Sequence, residues 1–262
     1  MLKNRLIPVL FLMNGYLVRS EDFGYHQKLG YPHTQVERYN AWDVDELIYI
    51  DITRQGGHDI GRDDIKLCDN RPDIEGIIEL VASRSFMPLT FGGGIHCLED
   101  IRRRIALGAD KVTINRQALA EPGFVGQAAR EFGSQAIIVC MDCRREPDGG
   151  HLVYADFGSR PTGRDPVDWA RQVEDLGAGE IMLNSVDRDG QAEGYDLELI
   201  AKVAAATSLP VIACGGVGRY GDFAQGLAAG AHAVAAGNIF HFREQSYLLA
   251  KQALKRAGAN VR

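Results

Sequence analysis

The chain has 262 residues, of which 45% are hydrophobic, and a formal net charge of −6. A single α/β barrel takes about 250 residues, so we expect one such domain over residues 1–262. The acidic balance argues against nucleic acid, whose phosphates require clustered Lys and Arg. No apolar run approaches the roughly 20 residues that cross a membrane. The basic start MLKNR precedes an apolar run too short for a secretory leader, so we expect a cytoplasmic protein.

Short apolar runs alternate with amphipathic segments along the whole chain. The amphipathic segments include DIEGIIELVASR, LEDIRRRIALG and PVDWARQVEDLG, each typical of a surface helix. Eight alternations of strand and helix predict a closed (βα)8 barrel, the TIM barrel, rather than an open sheet. The predicted strands are 6–12, 46–51, 86–91, 111–115, 136–142, 180–185, 209–214 and 233–237.

The two halves of the chain repeat one another. FMPLTFGGGI at 86–95 matches SLPVIACGGV at 208–217, an offset of 122 positions, whereas ELIYI at 46–50 matches EIMLN at 180–184, an offset of 134. The first half therefore holds 12 more residues, the difference between these offsets, within the polar stretch RQGGHDIGRDDIKLCDNRPD. That stretch either covers a site or is a tolerated insertion. Duplication of a four-stranded half-barrel is the simplest account.

Glycine clusters follow the third and the seventh predicted strands. In such barrels ligands bind at the carboxyl ends of the strands, where glycine lets backbone N–H groups approach an anion closely. Because the halves repeat, we expect two cradles on opposite sides of one mouth, suited to a ligand with a phosphate at each end. The alternative is that the glycines only turn tight corners. The first cradle is Gly93, Gly94, Asn115 and Arg116, and the second cradle is Gly215, Gly216, Gly237 and Asn238.

Four charged residues open predicted strands at the opposite end of the barrel. They are Arg5, Glu46, Lys111 and Glu180. Alternate residues of a strand share a face, and this parity directs all four towards the barrel axis. The alternative is that they are strand-end charges in solvent. Buried ion pairs stabilise poorly compared with apolar replacements, so a ring of charges here is better explained by function than by stability.

The cysteines and histidines give no sign of a metal site. Cys140 and Cys143 form a C-x-x-C within an apolar strand, where residues three apart face opposite sides. No second Cys/His pair lies at zinc spacing, so we expect buried free thiols and neither a metal nor another cofactor. The histidines expected in loops, without ligand-like spacing, are His26, His33, His58 and His151.

Several motifs together resemble the HisF-type family, the cyclase subunit of imidazole glycerol phosphate synthase. The resemblance covers essentially the whole chain. It implies a barrel that receives ammonia from a HisH-type glutaminase docked at its floor, through a gate formed by the four charged positions. Ammonia then meets a bis-phosphorylated ribulosyl substrate at the top, a lyase reaction of histidine biosynthesis that yields imidazole glycerol phosphate and AICAR. The motifs are DELIYIDIT (45–53), GGGI (92–95), GADKVTIN (108–115), LGAGEIMLNSVDRDG (176–190), GYDLELI (194–200) and IFHFRE (239–244).

The catalytic pair of the family is incomplete here. The resemblance implies two aspartates, ending the first and fifth strands, as general acid and base. The fifth strand supplies Asp142, but Phe11 stands at the equivalent position of the first. A phenyl ring cannot transfer a proton, and loss of one member of such a pair commonly costs ~10²–10⁴ in rate. Asp142 is then either a remaining proton acceptor or a locally hydrogen-bonded buried residue.

Five further positions differ from what the family usually has. Arg116 and Asn184 replace Thr, Cys214 and Asn238 replace Ser, and Arg19 replaces Lys. Arg116 is still able to pair with an anion. The changes nevertheless make the family substrate doubtful.

The four gate positions match the family, but the acid/base pair is incomplete. This combination predicts a subunit that conducts ammonia. HisF-like relatives of this kind are associated with ATP-dependent amidotransferases that add acetamidino groups to surface-polysaccharide sugars, and such an enzyme is the expected second partner. One alternative is a working cyclase whose acid or base is Asp51 or Asp187. Another is a phosphosugar isomerase or aldolase, but no candidate Schiff-base lysine is found, because Lys111 lies at the wrong end and Lys202 and Lys251 fall in helices.

Overall fold

The computed structural model describes residues 3–21, 25–53 and 73–262. The strands, in chain order, are β1 (Arg5–Met13), β2 (Tyr16–Glu21), β3 (Tyr25–Gly30), β4 (Leu47–Asp51), β5 (Leu89–Gly92), β6 (Lys111–Ile114), β7 (Ile137–Arg145), β8 (His151–Ala155), β9 (Arg160–Arg164), β10 (Glu180–Ser185), β11 (Val211–Cys214) and β12 (Ala233–Ala236). The α-helices are α1 (Pro32–Ala41), α2 (Ile74–Ala82), α3 (Leu98–Ala106), α4 (Arg116–Ala120), α5 (Gly123–Phe132), α6 (Pro166–Asp175), α7 (Leu197–Ala206), α8 (Tyr220–Ala228) and α9 (Ser246–Arg256).

Eight parallel strands close into a barrel, with helices between them. The order around the barrel is β1, β4, β5, β6, β7, β10, β11 and β12, and β12 pairs with β1 to complete the circle. The predicted (βα)8 barrel is confirmed, and each of the eight predicted strands has its counterpart. Strand β5 begins at Leu89 rather than 86, because Pro88 has no N–H to donate to a ladder.

Two antiparallel hairpins extend the barrel at equivalent places in the two halves. Strand β1 continues into β2 and β3, and β7 continues into β8 and β9. The sequence prediction missed both, and it ended the fifth barrel strand at 142, whereas β7 runs to Arg145 because β8 pairs with its extension. Position 19 lies in β2. Of the histidines expected in loops, three lie in regular elements, namely His26 in β3, His33 in α1 and His151 in β8, and His58 lies outside the described residues.

The positions of the elements follow the sequence repeat. Strands β5 and β6 and helix α3 each recur 122 positions later, as β11, β12 and α8. Helices α3 and α8 begin with the same device, in which Asp100 or Asp222 accepts hydrogen bonds from the two backbone N–H groups before its helix. Helices α1 and α6 both begin with proline, which suits a first helical turn. The 12 extra residues of the first half fall within 54–73, of which 54–72 lie outside the described residues.

Two apolar layers hold the barrel, one inside the strands and one between strands and helices. Strand β1 alternates between them: Ile7, Val9 and Phe11 belong to the inner layer, whereas Leu6 and Leu10 pack with the helices. Burying each such side chain contributes about 1.5–3 kcal/mol. This alternation decides which side chains meet on the axis. Within the described ranges, no helix has the length and apolar character needed to cross a membrane.

Glycines at the carboxyl ends of β5 and β11 are required by close backbone contacts. Gly93 has φ +88°, and a Cβ there would lie 2.0 Å from the carbonyl oxygen of Asp51. Gly215 has φ +91°, and its Cβ would lie 2.4 Å from the carbonyl oxygen of Ser185. In each half, the carboxyl end of the neighbouring strand therefore leaves no room for a side chain at the equivalent glycine. Tight turning alone accounts for glycine at these two positions.

Replacement of Gly93 by alanine should destabilise the fold strongly. The left-handed backbone costs alanine about 1–2 kcal/mol, and the clash with Asp51 adds about 1–3 kcal/mol. Gly133→Ala is the matched control, since Gly133 has φ +86° with nothing within 4 Å of its Cβ position. Denaturant unfolding should show a clearly larger loss for Gly93→Ala, and equal losses would contradict the steric account.

Candidate functional site

A closed ring of ion pairs lies at the amino-terminal end of the barrel strands, here called the floor. Arg5 Nη1 donates to Glu46 Oε2 at 2.7 Å, and Arg5 Nη2 donates to Glu180. Lys111 Nζ lies 3.0 Å from Glu46 Oε1 and 2.5 Å from Glu180 Oε1. Thr90 Oγ1 adds a 3.4 Å contact to Glu46 Oε1. The structure thus brings together all four charges that parity directs to the axis.

The ring is asymmetric in its exposure. The side chains of Glu46 and Glu180 are 3% and 5% exposed, whereas those of Arg5 and Lys111 are 17–18% exposed. Burial raises the pKa of Glu180, but the hydrogen bond and charge of Arg5 and the charge of Lys111 outweigh it, so this pKa lies below its usual value. Each of the two carboxylates contacts both cations and holds them across the barrel axis.

An apolar column fills the barrel above the ring. Its side chains come from alternate positions of the strands, and burial in it is nearly complete. Such a column offers no hydrogen-bond partner to water or to a charged species. Its members include Ile7, Val9, Ile48, Ile138, Met182, Ile212, Ala233 and Ala235.

Asp142 lies at the top of this column and is held by two amides. Asn115 Nδ2 donates to Asp142 Oδ2 at 2.7 Å, and Asn184 Nδ2 donates to Asp142 Oδ1 at 2.9 Å. Burial raises the pKa of Asp142, and the two hydrogen bonds oppose that rise without cancelling it. The carboxyl group is therefore fixed in orientation and more easily protonated than an exposed aspartate, as suits a proton donor or acceptor.

Phe11 occupies the position that corresponds to Asp142 in the other half of the barrel. It is 8% exposed and pairs with Ile50 of β4 in the strand register. On its other side, Phe11 Cε2 lies 3.7 Å from where Gly237 would carry a Cβ. The mouth therefore has one polar side, around Asp142, and one apolar side, around Phe11.

Two cavities open at the mouth, one for each cradle. The first has a volume of about 470 Å³ and is lined by the first cradle and Asp142. The second has a volume of about 110 Å³ and is lined by the second cradle. Phe11 and Cys214 line both cavities and so stand between them. Each cradle is thus brought together, but the two are separated by side chains.

Two side chains of the first cradle already have partners within the chain. Asn115 is engaged by Asp142, and both Nε and Nη2 of Arg116 donate to Asp156 Oδ1, at 2.9 and 2.6 Å. Arg160 Nε donates to the other Asp156 oxygen at 2.8 Å. Arg116 is thus oriented by a carboxylate and retains only part of its fork for an external anion.

The alternative proton-transfer residues differ in position. Asp51 lines the first cavity, and its Oδ1 accepts from the N–H of Thr53 at 3.0 Å. Asp187 accepts from Ser185 Oγ at 3.1 Å and is not among the described residues that line either cavity. Of these two aspartates, Asp51 alone shares a cavity with Asp142.

The lysines considered for Schiff-base chemistry lie away from the mouth. Lys111 belongs to the floor ring, Lys202 lies on α7, where it pairs with Glu198, and Lys251 lies on α9, where it pairs with Asp45. None of the three lines a cavity in the described parts of the chain.

The cysteines of the C-x-x-C face opposite sides of β7, as predicted. Cys140 belongs to the inner apolar layer and Cys143 to the outer one, and both are free thiols. Burial raises the pKa of both, so neither is a thiolate at neutral pH. In the described ranges, no group of three or more His, Cys, Asp or Glu side chains is placed to hold a metal ion.

The sequence prediction missed Asp156 and Phe157, which line the first cavity. Both lie in the turn between β8 and β9 with positive φ, at 52° and 59°. A signal was present, because the stretch HLVYADFGSRPTG has turn residues between two strand-like runs.

Comparison with known proteins places the chain in a family. The family model described as "Histidine biosynthesis protein" matches residues 5–246. Over 262 residues the chain is 41% identical to the imidazole glycerol phosphate synthase subunit HisF of Gluconacetobacter diazotrophicus. The alignment covers 100% of this chain and 97% of that protein. The chain belongs to the HisF-type family. Phe11 and Asp142 are thus the mouth residues of a HisF-type barrel.

The pKa of Asp142 should rise further in Asn184→Ala, because one of the two hydrogen bonds that lower it is removed. The carboxyl ¹³C shift of Asp142 followed against pH measures this. Asn40→Ala is the control, since Asn40 donates to the Arg84 carbonyl and not to Asp142. An unchanged or lower pKa in Asn184→Ala would contradict the assignment.

The raised pKa of Asp142 also determines how its contribution to stability changes with pH. Between the ordinary aspartate pKa of 3.8 and the raised value, the folded chain holds a proton that the unfolded chain has released. The contribution of Asp142 to the free energy of unfolding should therefore decrease as pH rises through this interval. Subtracting the stability–pH profile of Asp142→Asn from that of the native chain isolates this contribution, and a difference that increases with pH would be inconsistent with a raised pKa.

Proposed function

We propose that this HisF-type chain is the ammonia-receiving barrel subunit of a glutamine-dependent system. The observation that carries the proposal is the ion-pair ring of Arg5, Glu46, Lys111 and Glu180, which closes the floor beneath an apolar column. Buried ion pairs are poor stabilisers, so four of them on one axis favour a functional role. The cations of the ring are more exposed than its carboxylates, as expected if a small molecule enters from their side.

The partner at the floor is a HisH-type glutaminase. Ammonia released into water at neutral pH becomes protonated and loses its nucleophilicity, so it has to pass directly from one protein into the next. The ring can admit a small neutral molecule by moving one cation aside. The apolar column above it excludes water and charged species. HisF-type membership supports this partner, since the relative is named as a subunit of a synthase.

At the mouth, we propose that the ammonia is passed on rather than consumed by cyclisation. Phe11 cannot transfer a proton, and it stands opposite Asp142 where a second carboxylate would be needed. The ammonia-consuming partner is then an ATP-dependent amidotransferase that acts on a sugar. The resemblance of the sequence to HisF-like subunits suggests acetamidino-sugar formation for surface polysaccharide.

The second candidate function is that of an imidazole glycerol phosphate synthase cyclase in histidine biosynthesis. The comparison favours it over the sugar system, because the relative that matches the whole chain carries that name. Asp51 lines the same cavity as Asp142 and could supply the second carboxylate. We rank it second because Phe11, on the side opposite Asp142, has no proton to give.

The floor ring is tested by Lys111→Ala. Loss of Lys111 leaves two carboxylates with one cation, so we expect glutamine-dependent product formation to fall at least about tenfold relative to ammonium-dependent formation. The product measured is that of the ammonia-consuming partner, in the presence of the glutaminase. Lys251→Ala is the matched control, since Lys251 also forms a half-buried ion pair, with Asp45, but lies outside the ring. An unchanged ratio in Lys111→Ala would remove the gate assignment.

Cyclisation with excess ammonium salt separates the two candidates. The native chain supplied with the bis-phosphorylated ribulosyl substrate should form imidazole product at least ~10²-fold more slowly than Phe11→Asp, which supplies the missing carboxylate. Phe11→Leu controls for the loss of the ring alone. Efficient turnover by the native chain, abolished in Asp142→Asn, would establish the cyclase instead.

A further inference from the structure

Arg104 is a buried arginine near the mouth that belongs to neither cradle nor to the proton-transfer residues. It lies on α3 and is 6% exposed. Its Nη1 donates to the Asp100 carbonyl at 2.9 Å and its Nη2 to the Gly93 carbonyl at 2.8 Å, while Nε has no hydrogen-bond partner among the described residues. A buried polar atom of this kind calls for an explanation, such as a ligand.

The charge of Arg104 is not matched by a direct ion pair. Its hydrogen bonds go to two carbonyls, and no carboxylate of the described residues lies within ion-pair distance of it. Burial lowers its pKa, and the more distant charges of Asp100, Asp51 and Glu75 only partly offset this. An arginine nevertheless stays protonated in a protein, so a cation is buried here at a cost.

The guanidinium lies directly behind the first cradle. It holds the Gly93 carbonyl, and Nη2 is 3.6 Å from where Gly94 would carry a Cβ. Both glycines line the larger cavity. An anion bound to the backbone of Gly93 and Gly94 would therefore be separated from the Arg104 charge by one peptide group. In a low-dielectric environment, the attraction between two such opposite charges is strong.

The second cradle has no such charge. The repeat places Gly226 where the first half has Arg104, and its Cβ position lies 2.9 Å from the ring of Tyr195, whose hydroxyl donates to the Ala235 carbonyl. Arg188 lies beside this cradle, with its Cβ 3.0 Å from where Gly216 would carry one, but its Nη1 donates to the Gly194 carbonyl at 3.3 Å and its Nε lies 3.9 Å from the Asp196 carboxylate. The lining of the smaller cavity adds one carboxylate and no cation among the described residues.

We propose that Arg104 makes the first cradle the anion-binding end of the mouth, so that the ligand is a phosphate monoester with one such group and not a bis-phosphate. The inference rests on the proposed function, since it names the ligand class of a mouth that does not act on the bis-phosphorylated cyclase substrate. Arg104 is a specificity-determining residue that acts through the Gly93–Gly94 backbone.

The acidic residues of the first cavity do not prevent this. Both oxygens of Asp142 accept from asparagine amides, and both oxygens of Asp156 accept from arginines. Asp51 Oδ1 accepts from the N–H of Thr53. Each carboxylate is thus held by donors of the chain, whereas Arg104 has no carboxylate of the described residues at ion-pair distance and its charge is only partly offset by Asp100, Asp51 and Glu75.

The test is calorimetric titration of the full chain with inorganic phosphate, glycerol 3-phosphate and fructose 1,6-bisphosphate as probes. We expect one phosphate per chain and at least tenfold weaker binding in Arg104→Leu. Arg188→Leu, the matched variant at the second cradle, should change affinity less than twofold. The bisphosphate should bind no more than twofold tighter than the monoester. Only one of its two phosphate groups can occupy the first cradle at a time, so the second group only doubles the number of binding orientations.

Two phosphates per chain, equal losses in Arg104→Leu and Arg188→Leu, or no binding by the native chain would overturn the proposal. Amide shifts of the native chain give a second readout that does not depend on a variant folding. Added phosphate should shift Gly93 and Gly94 but not Gly215 and Gly216, and equal shifts at both pairs would also overturn it. The Lys111→Ala assay probes the proposed function separately, because Lys111 lies in the floor ring, at the opposite end of the barrel from the cradles, and its effect does not depend on where phosphate binds.

Discussion

The ion-pair ring at the floor is the constraint around which the rest of the barrel is arranged. Two carboxylates that are almost fully buried each contact both Arg5 and Lys111 there, and these contacts offset the cost of burial. Strand parity then carries the same face upwards, through the apolar column, to the side chains at the mouth. A shift of one residue in any of these strands would take a charge out of the ring and turn the mouth residue of that strand outwards, so the floor and the mouth share one register.

The mouth combines a preserved half with an altered one. Around Asp142, two asparagine amides hold a carboxyl group whose pKa is raised by burial, an arrangement suited to proton transfer. Around Phe11, the neighbours are Ile50 and Gly237, and the side chain separates two cavities that a bis-phosphorylated ligand would have to span. Family membership accounts for the barrel, whereas the function of its mouth depends on the local chemistry at positions such as this one.

Much of the fold was predictable because it depends on patterns of short range. Short apolar runs marked the barrel strands, and the repeat marked their grouping into two halves. The hairpins were missed because their strands are short, with turn residues as the main signal. The burial of Arg104 was not predictable, because an arginine within LEDIRRRIALG is typical of an exposed helix face, and only tertiary packing turns it beneath the Gly93 loop. His151, expected in a loop, is buried on β8 with Nε2 2.9 Å from Asp196 Oδ2, a contact across 45 positions of chain.

The repeated helix starts have a consequence for how such a barrel can change. Asp100 and Asp222 cap their helices in the same way, so each half carries its own complete set of local folding instructions. Backbone redundancy of this kind lets one half lose a reactive side chain while the other keeps the geometry that both inherited. Gly226 and Arg104 show such divergence already, at one inherited position on two copies of a helix. A duplicated scaffold can therefore exchange chemistry for transport one half at a time.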